Sequence, residues 1–534
     1  MIHNNLLLIL TLFFLMALLF LLSQRLKISY PIFLVIGGLA ISFIPKIPSI
    51  SISPDLIFLI FLPPLLFDAA WHVSWNQLWK WRRSILILGF GLVFATSAAV
   101  AYFSVAIIPG FTVALGFLLG GIISPPDAVA ATSVLKGMAV PRRGLAILEG
   151  ESLVNDAASL TIFRFALAAI LTGSFVVKDA LVSFSILSIM GVTVGLVIAH
   201  FLYLVLRYWA RASSITTPIT LIAPYLMYIV AESLEWSGVL AVVSGGLFLS
   251  FRSSDYLNYH TRMQTAEVWE TVGFLLNGFV FILIGLELPV IINGLENYSM
   301  KEAIRYALLI TLMVIVIRII LVYIASFVPR LLSKRIRETE KNPGFKLPFV
   351  IGWAGMRGVV SLASALAIPL TLSDGTDFPQ RNLILFITFV VILSTLIFQG
   401  LSLPWIIKLL KVEEIDDYIP EEEQIAAIRL QLGKQSLEYL KNNYPYEVEH
   451  YDAVARIKDN LETVVATAAA GIQQGKDNEE LKTMKGLTQK IMLELIDIRR
   501  QGLITMRLEK KYDDKVLRTL ERNFDLEEAR LLKP

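Results

Sequence analysis

The sequence predicts an all-α membrane protein with thirteen transmembrane helices, inverted repeats, two broken helices in spans five and twelve, and a cytoplasmic helical tail. Three observations lead to this fold class. The 534 residues are 56% hydrophobic and only 17% charged, with a mean hydropathy of +0.67, which is too apolar for a soluble protein of this length. Apolar segments of about membrane length recur along the first 410 residues, and beyond them the composition becomes strongly charged.

Each predicted span is an apolar segment that crosses, or nearly crosses, a bilayer. The thirteen segments are residues 6–22, 30–44, 55–71, 84–108, 112–135, 144–171, 180–206, 218–234, 239–251, 269–292, 303–328, 347–372 and 383–410. No Lys or Arg precedes the first segment, so we interpret it as a retained span and not as a secretory signal peptide.

The basic residues in the connections indicate the orientation of the spans. Eighteen Lys and Arg residues lie in one alternating set of loops and four lie in the other. The richer set is expected to be cytoplasmic, which places the N-terminus outside and the C-terminus in the cytoplasm. We therefore expect a multi-pass protein of the cell membrane (plasma or inner membrane).

The chain is expected to have two domains, a transmembrane domain at 1–410 and a cytoplasmic helical domain at 411–534. The second contains 20 basic and 25 acidic residues among its 124. Apolar residues at helical spacing predict helices at 421–440 and 481–511. A solvated bundle that aids assembly and a regulatory domain are equally compatible with this pattern.

Composition also excludes several function classes. The chain has no cysteine, which rules out disulfides, thiol catalysis and thiolate metal sites. A net charge of +3 without a basic patch gives no support for nucleic-acid binding. We expect neither an enzyme nor a cofactor.

The segment EGESLVND, at 149–156, places carboxylates inside a predicted membrane helix. Charged side chains at membrane depth are costly and usually mark an ion pathway or a proton relay. Glu151 and Asn155 are four residues apart, as are Ser152 and Asp156, so each pair lies on neighbouring turns of one helix face. Two adjacent rows of oxygen atoms suit a small hard cation such as sodium.

Two spans are predicted to be interrupted. Pro125 and Pro126 remove two backbone donors from the fifth span directly before Asp127, so the helix must open there and free carbonyls beside a carboxylate. Three glycines around Arg357 predict a second break in the twelfth span. These spans are an odd number apart and run in opposite directions, which is typical of an inverted-repeat transporter with a site at the membrane midplane. Asp127 and Arg357 are placed to compensate the dipoles of the half-helices.

Six motifs occur in the order found in a known family. They are FLPPLLFD at 61–68, SPPDAVA at 124–130, EGESLVND at 149–156, SGVLAVVSG at 237–245, NGFVFILIG at 277–285 and GWAGMRGVVS at 352–361. On these motifs, which span the first 410 residues, the chain resembles the monovalent cation:proton antiporter family 1. This family contains bacterial sodium/proton antiporters and is related to the sodium/proton exchangers of animals and plants.

The resemblance implies which residues bind the cation and the proton. Asp127 and Asp156 are the expected carboxylates, and Ser152 is the expected hydroxyl ligand, so sodium is expected at these three residues. Asn155 and Pro126 complete the expected binding set. Many relatives have a Thr where this chain has Pro126, so a hydroxyl ligand is missing and the ion selectivity is left open.

Other roles also follow from the resemblance. Glu151 is expected to form a structural ion pair with Arg357, because an unpaired buried arginine is prohibitive. Asp68 is expected to flank the ion pathway. Arg164 and Arg318 lie within spans and receive no transport role. Glu232 matches the family without a role that the sequence explains.

Together these features predict a secondary active transporter that exchanges sodium, with lithium and potassium as further candidates, for protons by alternating access. Proton and cation compete at Asp127 and Asp156, and Asn155 resembles the electroneutral branch. A potassium-preferring or electrogenic antiporter is the alternative. The expected partners are sodium, protons, membrane lipids and a second copy in a homodimer. The Tyr-Asp and Gly-x-Gly-Asp motifs of an intramembrane aspartyl protease are absent around both aspartates. An ion channel would lack a proton-competitive carboxylate.

Overall fold

The chain divides into two compact units, Met1–Asp416 and Asp417–Pro534. The computed structural model describes residues 2–26, 29–43, 54–135, 138, 140–173, 177–209, 212–295, 298–372, 375–416, 421–473, 479–508 and 514–532. The predicted helix ends at Ile44 and Lys511 lie outside these residues. The boundary between the units falls six residues after the boundary expected from composition.

The described residues of the first unit form twenty α-helices. Helices α1 to α10 are Ile2–Leu26, Tyr30–Ser42, Pro54–His72, Trp75–Leu86, Val93–Ile107, Val113–Ile123, Ala128–Leu135, Arg142–Thr172, Val177–Tyr208 and Ser213–Ser233. Helices α11 to α20 are Gly238–Phe251, Ser253–Tyr256, Tyr259–Leu286, Leu288–Asn293, Met300–Leu332, Lys334–Thr339, Lys346–Trp353, Val359–Leu366, Arg381–Ser394 and Gly400–Leu410. Short π-helical segments join α4 to α5 and α19 to α20.

The described residues form no strand longer than one isolated bridge, between Thr371 and Asp377. Eight helical stretches among them are long and apolar enough to cross a membrane, and four shorter apolar helices accompany them. The predicted segment 347–372 instead contains two helices of eight residues, α17 and α18. The prediction of a nearly all-helical chain with many apolar spans is confirmed.

Helix α15 shows how such a unit meets a bilayer. Leu308, Leu312, Val316, Ile320 and Ile324 follow one another every four residues, and each is at least 44% exposed. In water this row would be an unfavourable apolar stripe, whereas lipid tails cover it at no cost. The opposite face of α15 is buried in the protein.

The interior consists of two main apolar cores. The larger one gathers side chains from α2, α5, α6, α8, α15 and α17–α19. The smaller one gathers side chains from α9–α11, and α3, α8 and α13 contribute to both. The first unit is therefore two packed groups of helices that share α3, α8 and α13.

Glycines allow a close helix–helix contact in the larger core. Gly116 and Gly120, one turn apart on α6, lie against the backbone of Ala101 and Ser97 on α5. A Cβ atom at either glycine would collide with that backbone. This spacing of small residues is a common way for membrane helices to approach closely, and it fixes α6 just before its last turn.

Two pairs of short helices are each separated by non-helical backbone. α6 ends at Ile123 and α7 begins at Ala128, while α17 ends at Trp353 and α18 begins at Val359. The two interruptions touch, because the backbone N–H of Asp127 donates to the carbonyl of Met356 at 2.7 Å. The backbone groups released by one interruption are thus partly satisfied by the other.

The second unit contains helices α21 to α25, at Glu421–Asn443, Pro445–His450, Asp452–Gln473, Glu479–Leu508 and Asp514–Leu532. Gly433 of α21 lies against Val465 of α23. Arg499 and Arg500 of α24 form ion pairs with acidic residues of α25, among them Arg500 to Asp525 at 2.6 Å. These are solvated helices held by small apolar contacts and surface charges.

Candidate functional site

Asp127 occupies the gap between α6 and α7. Its Oδ1 accepts hydrogen bonds from the backbone N–H groups of Val129, at 2.8 Å, and Ala130, at 3.3 Å. The carboxylate therefore caps the first turn of α7, where unpaired N–H groups and the helix dipole both favour negative charge. Oδ2 lies on the other side, against Gly358, so closely that no Cβ atom would fit there.

Arg357 lies between α17 and α18 and is fully buried. Its Nε donates to the carbonyl of Ile123 at 2.9 Å, and Nη2 donates to the carbonyl of Ser124 at 3.4 Å. A third bond joins Nη1 to the carbonyl of Gly355. The guanidinium thus neutralises the negative C-terminal end of α6, which is the compensation of half-helix dipoles expected from the sequence.

A cavity of about 60 Å³ lies beside the interruption. Asp127 and Pro126 line it from the gap, Ser152 and Asp156 line it from α8, and α3, α13 and α18 close the remaining sides. Asp156 is 7% exposed. The structure therefore brings four of the predicted binding residues to one cavity, which has room for a few water molecules or a small ion.

Asn155, the fifth predicted binding residue, does not line the cavity. It is fully buried, and its Nδ2 donates to the carbonyl of Pro126 at 3.0 Å. Its own Oδ1 has no partner among the described residues. The amide therefore fixes the opened backbone of the gap to α8, and it takes up a carbonyl that sequence reasoning assigned to the cation.

The predicted ion pair between Glu151 and Arg357 is wrong. Glu151 instead pairs with Arg318 of α15, with Nη1 to Oε1 at 2.7 Å and Nη2 to Oε2 at 3.1 Å. Both side chains are fully buried. The reason is that Arg357 sits in unwound backbone, where free carbonyls satisfy its donors, whereas Arg318 lies in a continuous helix whose carbonyls are already bonded.

Asp68 stands on α3 but does not line the cavity, unlike Leu65 and Ala69 on the same helix. Its Oδ1 lies 3.2 Å from Nδ1 of His72, one turn further along. Sequence reasoning missed Asn277 of α13, which does line the cavity and donates from Nδ2 to the carbonyl of Gly273 at 2.9 Å. A polar amide in the middle of an apolar span was the available signal.

Arg164 and Glu232, which had no assigned partners, form an ion pair between α8 and α10 at 2.6 Å. The second carboxylate oxygen of Glu232 accepts the N–H of Gly238, the first residue of α11, at 3.2 Å. Both side chains are partly exposed, which screens the attraction. The pair therefore joins three helices outside the cavity.

The site offers oxygen ligands of two kinds, carboxylates and hydroxyls. Hard cations such as sodium prefer such ligands, and a carboxylate in a small apolar cavity is costly unless it holds a proton or a cation. Among the described residues no three His, Cys, Asp or Glu side chains converge in a way that would hold a metal ion. The oxygen ligands and the size of the cavity fit a small hard cation.

Comparison with known proteins gives one consistent result. Residues 9–409 match the model of the family described as sodium/hydrogen exchanger, transmembrane. An uncharacterized Na+/H+ exchanger of Mycobacterium tuberculosis is 31% identical over 521 residues, which cover 96% of this chain and 94% of that protein. A sodium, potassium, lithium and rubidium/H+ antiporter of Bacillus pumilus is 35% identical over 387 residues, which cover 71% of this chain and 57% of that protein.

The fold has a solved counterpart. The sodium proton antiporter of Methanocaldococcus jannaschii superimposes with a TM-score of 0.59, covering 75% of this chain and 97% of that protein. The two sequences are 22% identical, so the similarity concerns the fold alone.

Proposed function

The chain belongs to the sodium/hydrogen exchanger family, and on that premise we propose that it is a secondary active transporter that exchanges sodium for protons across the cell membrane. The observation that carries this proposal is the shared cavity of Asp127 and Asp156, two carboxylates with hydroxyl groups around them. Neither acid forms an ion pair with an arginine or lysine in the described residues, and the cap that Asp127 forms on α7 gives no reason for the second acid, Asp156.

The proposed transport domain is residues 1–410, with thirteen crossings. In this architecture α6 and α7 form the fifth crossing and α17 and α18 form the twelfth. Their contact between Asp127 and Met356 supports two broken crossings that meet near the midplane. The N-terminus lies outside and the C-terminal domain, 411–534, lies in the cytoplasm, as the distribution of basic residues indicates.

Sodium is proposed to bind Asp127, Asp156 and Ser152. The remaining predicted ligands act indirectly: Asn155 holds the carbonyl of Pro126, and this keeps the gap open beside the cavity. A proton and a cation cannot both neutralise the same carboxylate, so binding of one releases the other. Asp68, near this cavity on α3, is proposed to flank the ion pathway.

Alternating access follows from the position of the cavity. Leu62 and Leu66 on its α3 wall belong to the smaller core, whereas Val359 on its α18 wall belongs to the larger core. Movement of one group of helices against the other would expose the cavity first to one side of the membrane and then to the other. The proton gradient drives this cycle, since one pH unit is worth about 1.4 kcal/mol per proton.

Exchange is proposed to be electroneutral, because Asn155 is neutral and leaves Asp156 as the single acid of that turn. A potassium-preferring or electrogenic antiporter is the second candidate. The antiporter names of the Bacillus relatives, which include potassium, lithium and rubidium, favour a broad cation range. A homodimer is also proposed, and cross-linking in native membranes tests it directly.

The decisive experiment is cation-induced proton flux in everted membrane vesicles from a host without its own sodium/proton antiporters. Sodium, lithium, potassium and rubidium are added in turn to vesicles that hold an imposed pH gradient. Saturable collapse of the gradient with at least one of these cations supports the proposal. A gradient that none of the four cations dissipates, with the protein in the membrane, contradicts it.

A further inference from the structure

Ser361 lies in the first turn of α18, on the wall of the cavity that also contains Asp127 and Asp156. Its side chain is 1% exposed, and its hydroxyl has no hydrogen-bond partner among the described residues. Buried hydroxyl groups are almost always bonded, because leaving one unpaired costs free energy comparable to a lost hydrogen bond. Unlike the unpaired hydroxyl groups of Thr96, Ser97 and Thr388, this one borders a cavity that has room for a bonding partner.

The broken helix explains why the hydroxyl is free. A serine in a helix commonly donates to the carbonyl four residues earlier, as Ser402 does to Phe398 at 2.6 Å. For Ser361 that carbonyl belongs to Arg357, which lies in non-helical backbone before α18. The carbonyl of Arg357 therefore does not point along α18 toward the hydroxyl of Ser361. The hydroxyl remains free to bond a group in the cavity.

Two other oxygen atoms around the cavity are already engaged. Oδ1 of Asp127 accepts two backbone N–H groups, and the carbonyl of Pro126 accepts the amide of Asn155. A hard cation needs several oxygen ligands. We propose that Ser361 is a ligand of the transported cation, together with Ser152, and that it helps to set the choice between small and large alkali ions. This inference rests on the proposed exchange function.

The direction of selectivity follows from ion size. Attraction between a cation and an oxygen dipole weakens with distance, so a small ion gains more from each close ligand than a large one does. Loss of the Ser361 hydroxyl should therefore weaken binding of lithium and sodium more than binding of potassium. A purely structural serine would change the amount of folded protein and leave the order of cations intact.

The first test is Ser361→Ala, with Ser364→Ala as the matched control. Ser364 lies one turn further on the same helix, is 2% exposed and does not line the cavity. For Ser361→Ala we expect the apparent KM for sodium to rise about tenfold, a lower ratio of sodium to potassium transport, and a smaller change in maximal rate. Ser364→Ala should resemble the parent. Unchanged KM values and cation order in Ser361→Ala would overturn the inference.

A second variant tests whether residue 361 contacts the bound cation, and its measurement does not require the variant to transport ions. The chain has no cysteine, so Ser361→Cys carries its only thiol. Silver is a soft monovalent cation, and soft cations bind thiolates tightly. We expect silver to bind this variant in detergent, with sodium slowing the reaction, whereas Ser364→Cys should react slowly and without sodium dependence. Equal reaction of both thiols, or no protection by sodium, removes Ser361 from the site. Absence of exchange in the parent would instead refute the proposed function itself.

Discussion

Glu151 and Arg318 form a two-point ion pair that is wholly shielded from solvent, although 167 positions separate them in the chain. The pair joins α8, which carries Asp156, to α15. Glu151 directly precedes the cavity-lining Ser152 but does not itself line the cavity. The carboxylate of Glu151 is thus committed to the scaffold, and Asp156 remains available to a cation.

The ion pair makes a quantitative prediction. Glu151→Gln or Arg318→Gln alone leaves a buried charge without its partner, which typically costs about 3–5 kcal/mol. Each single substitution should lower the melting temperature and the yield of folded protein. The double substitution should be more stable than the sum of the two losses predicts, because neither charge is then unpaired. Additive losses in thermal unfolding of the purified protein would mean that the residues do not interact.

The pair of Glu151 and Arg357 that the sequence predicts is tested in the same way, by combining Glu151→Gln with Arg357→Gln. Arg357 contacts the carbonyls of Ile123 and Ser124 and not Glu151. Its coupling energy with Glu151 should therefore be much smaller than that of Arg318. A larger coupling with Arg357 would restore the pair that the sequence predicted.

The helical fold and the candidate acids both have strong local signals in the sequence. Apolar segments mark the helices, two prolines mark the gap before Asp127, and a carboxylate inside hydrocarbon marks Asp156. Pairing in space has no such signal. Arg318 and Arg357 are both arginines inside apolar spans, so the sequence offers each of them equally as a partner of Glu151. Only the course of the backbone decides which of them pairs with it.

Asp127→Asn and Asp156→Asn should each abolish exchange while the protein remains folded in the membrane. Asn keeps the size of the side chain but can neither release a proton nor offer a full negative charge to sodium. Sodium-dependent proton flux in vesicles measures the effect. Glu267→Gln, an exposed acid on α13, is the control and should keep its flux. Near-normal flux in either Asp variant would remove that residue from the site.

The second prediction about the site concerns the contact between Gly358 and Asp127. The Cα of Gly358 lies so near the carboxylate of Asp127 that a methyl group added to it would collide with Oδ2 and displace it. Overpacking of this kind costs typically about 1–3 kcal/mol, and here the cost falls on the binding carboxylate. We expect Gly358→Ala to lower sodium affinity by about tenfold or more.

The control for this change is Gly91→Ala. At Gly91 the nearest atom to an added Cβ is Cγ2 of Ile87, at 4.0 Å, which is an ordinary contact. This variant should transport like the parent. If the KM for sodium of Gly358→Ala were equal to that of Gly91→Ala, the carboxylate of Asp127 would not hold the position that binding requires.

The orphan hydroxyl of Ser361 and the role of Asn155 were beyond sequence reasoning for a common reason. Both depend on which carbonyls the unwound backbone presents. Asn155 has a carbonyl within 3.0 Å because the gap opens toward α8, and Ser361 has none because its helix begins too late. Side-chain type and spacing do not encode the direction of a carbonyl outside regular structure.

The last prediction concerns charge movement. Asn155 has a neutral side chain that is hydrogen-bonded to the carbonyl of Pro126, so it neither exchanges a proton nor adds a charge when the cation binds. If one sodium replaces one proton at Asp156, the loaded carrier has the same charge in both directions of the cycle. A membrane potential then has no net charge to act on, and the transport rate should not depend on voltage.

Proteoliposomes with a potassium-diffusion potential measure this directly. The rate of sodium-driven proton flux is compared at zero and at an imposed potential of either sign. The same potassium gradient without ionophore is the control, since it separates the effect of voltage from that of potassium as a competing substrate. We expect equal rates at all three potentials. A rate that rises with the imposed voltage would refute electroneutral exchange and identify Asp127 as a second proton carrier, with two protons exchanged for each cation.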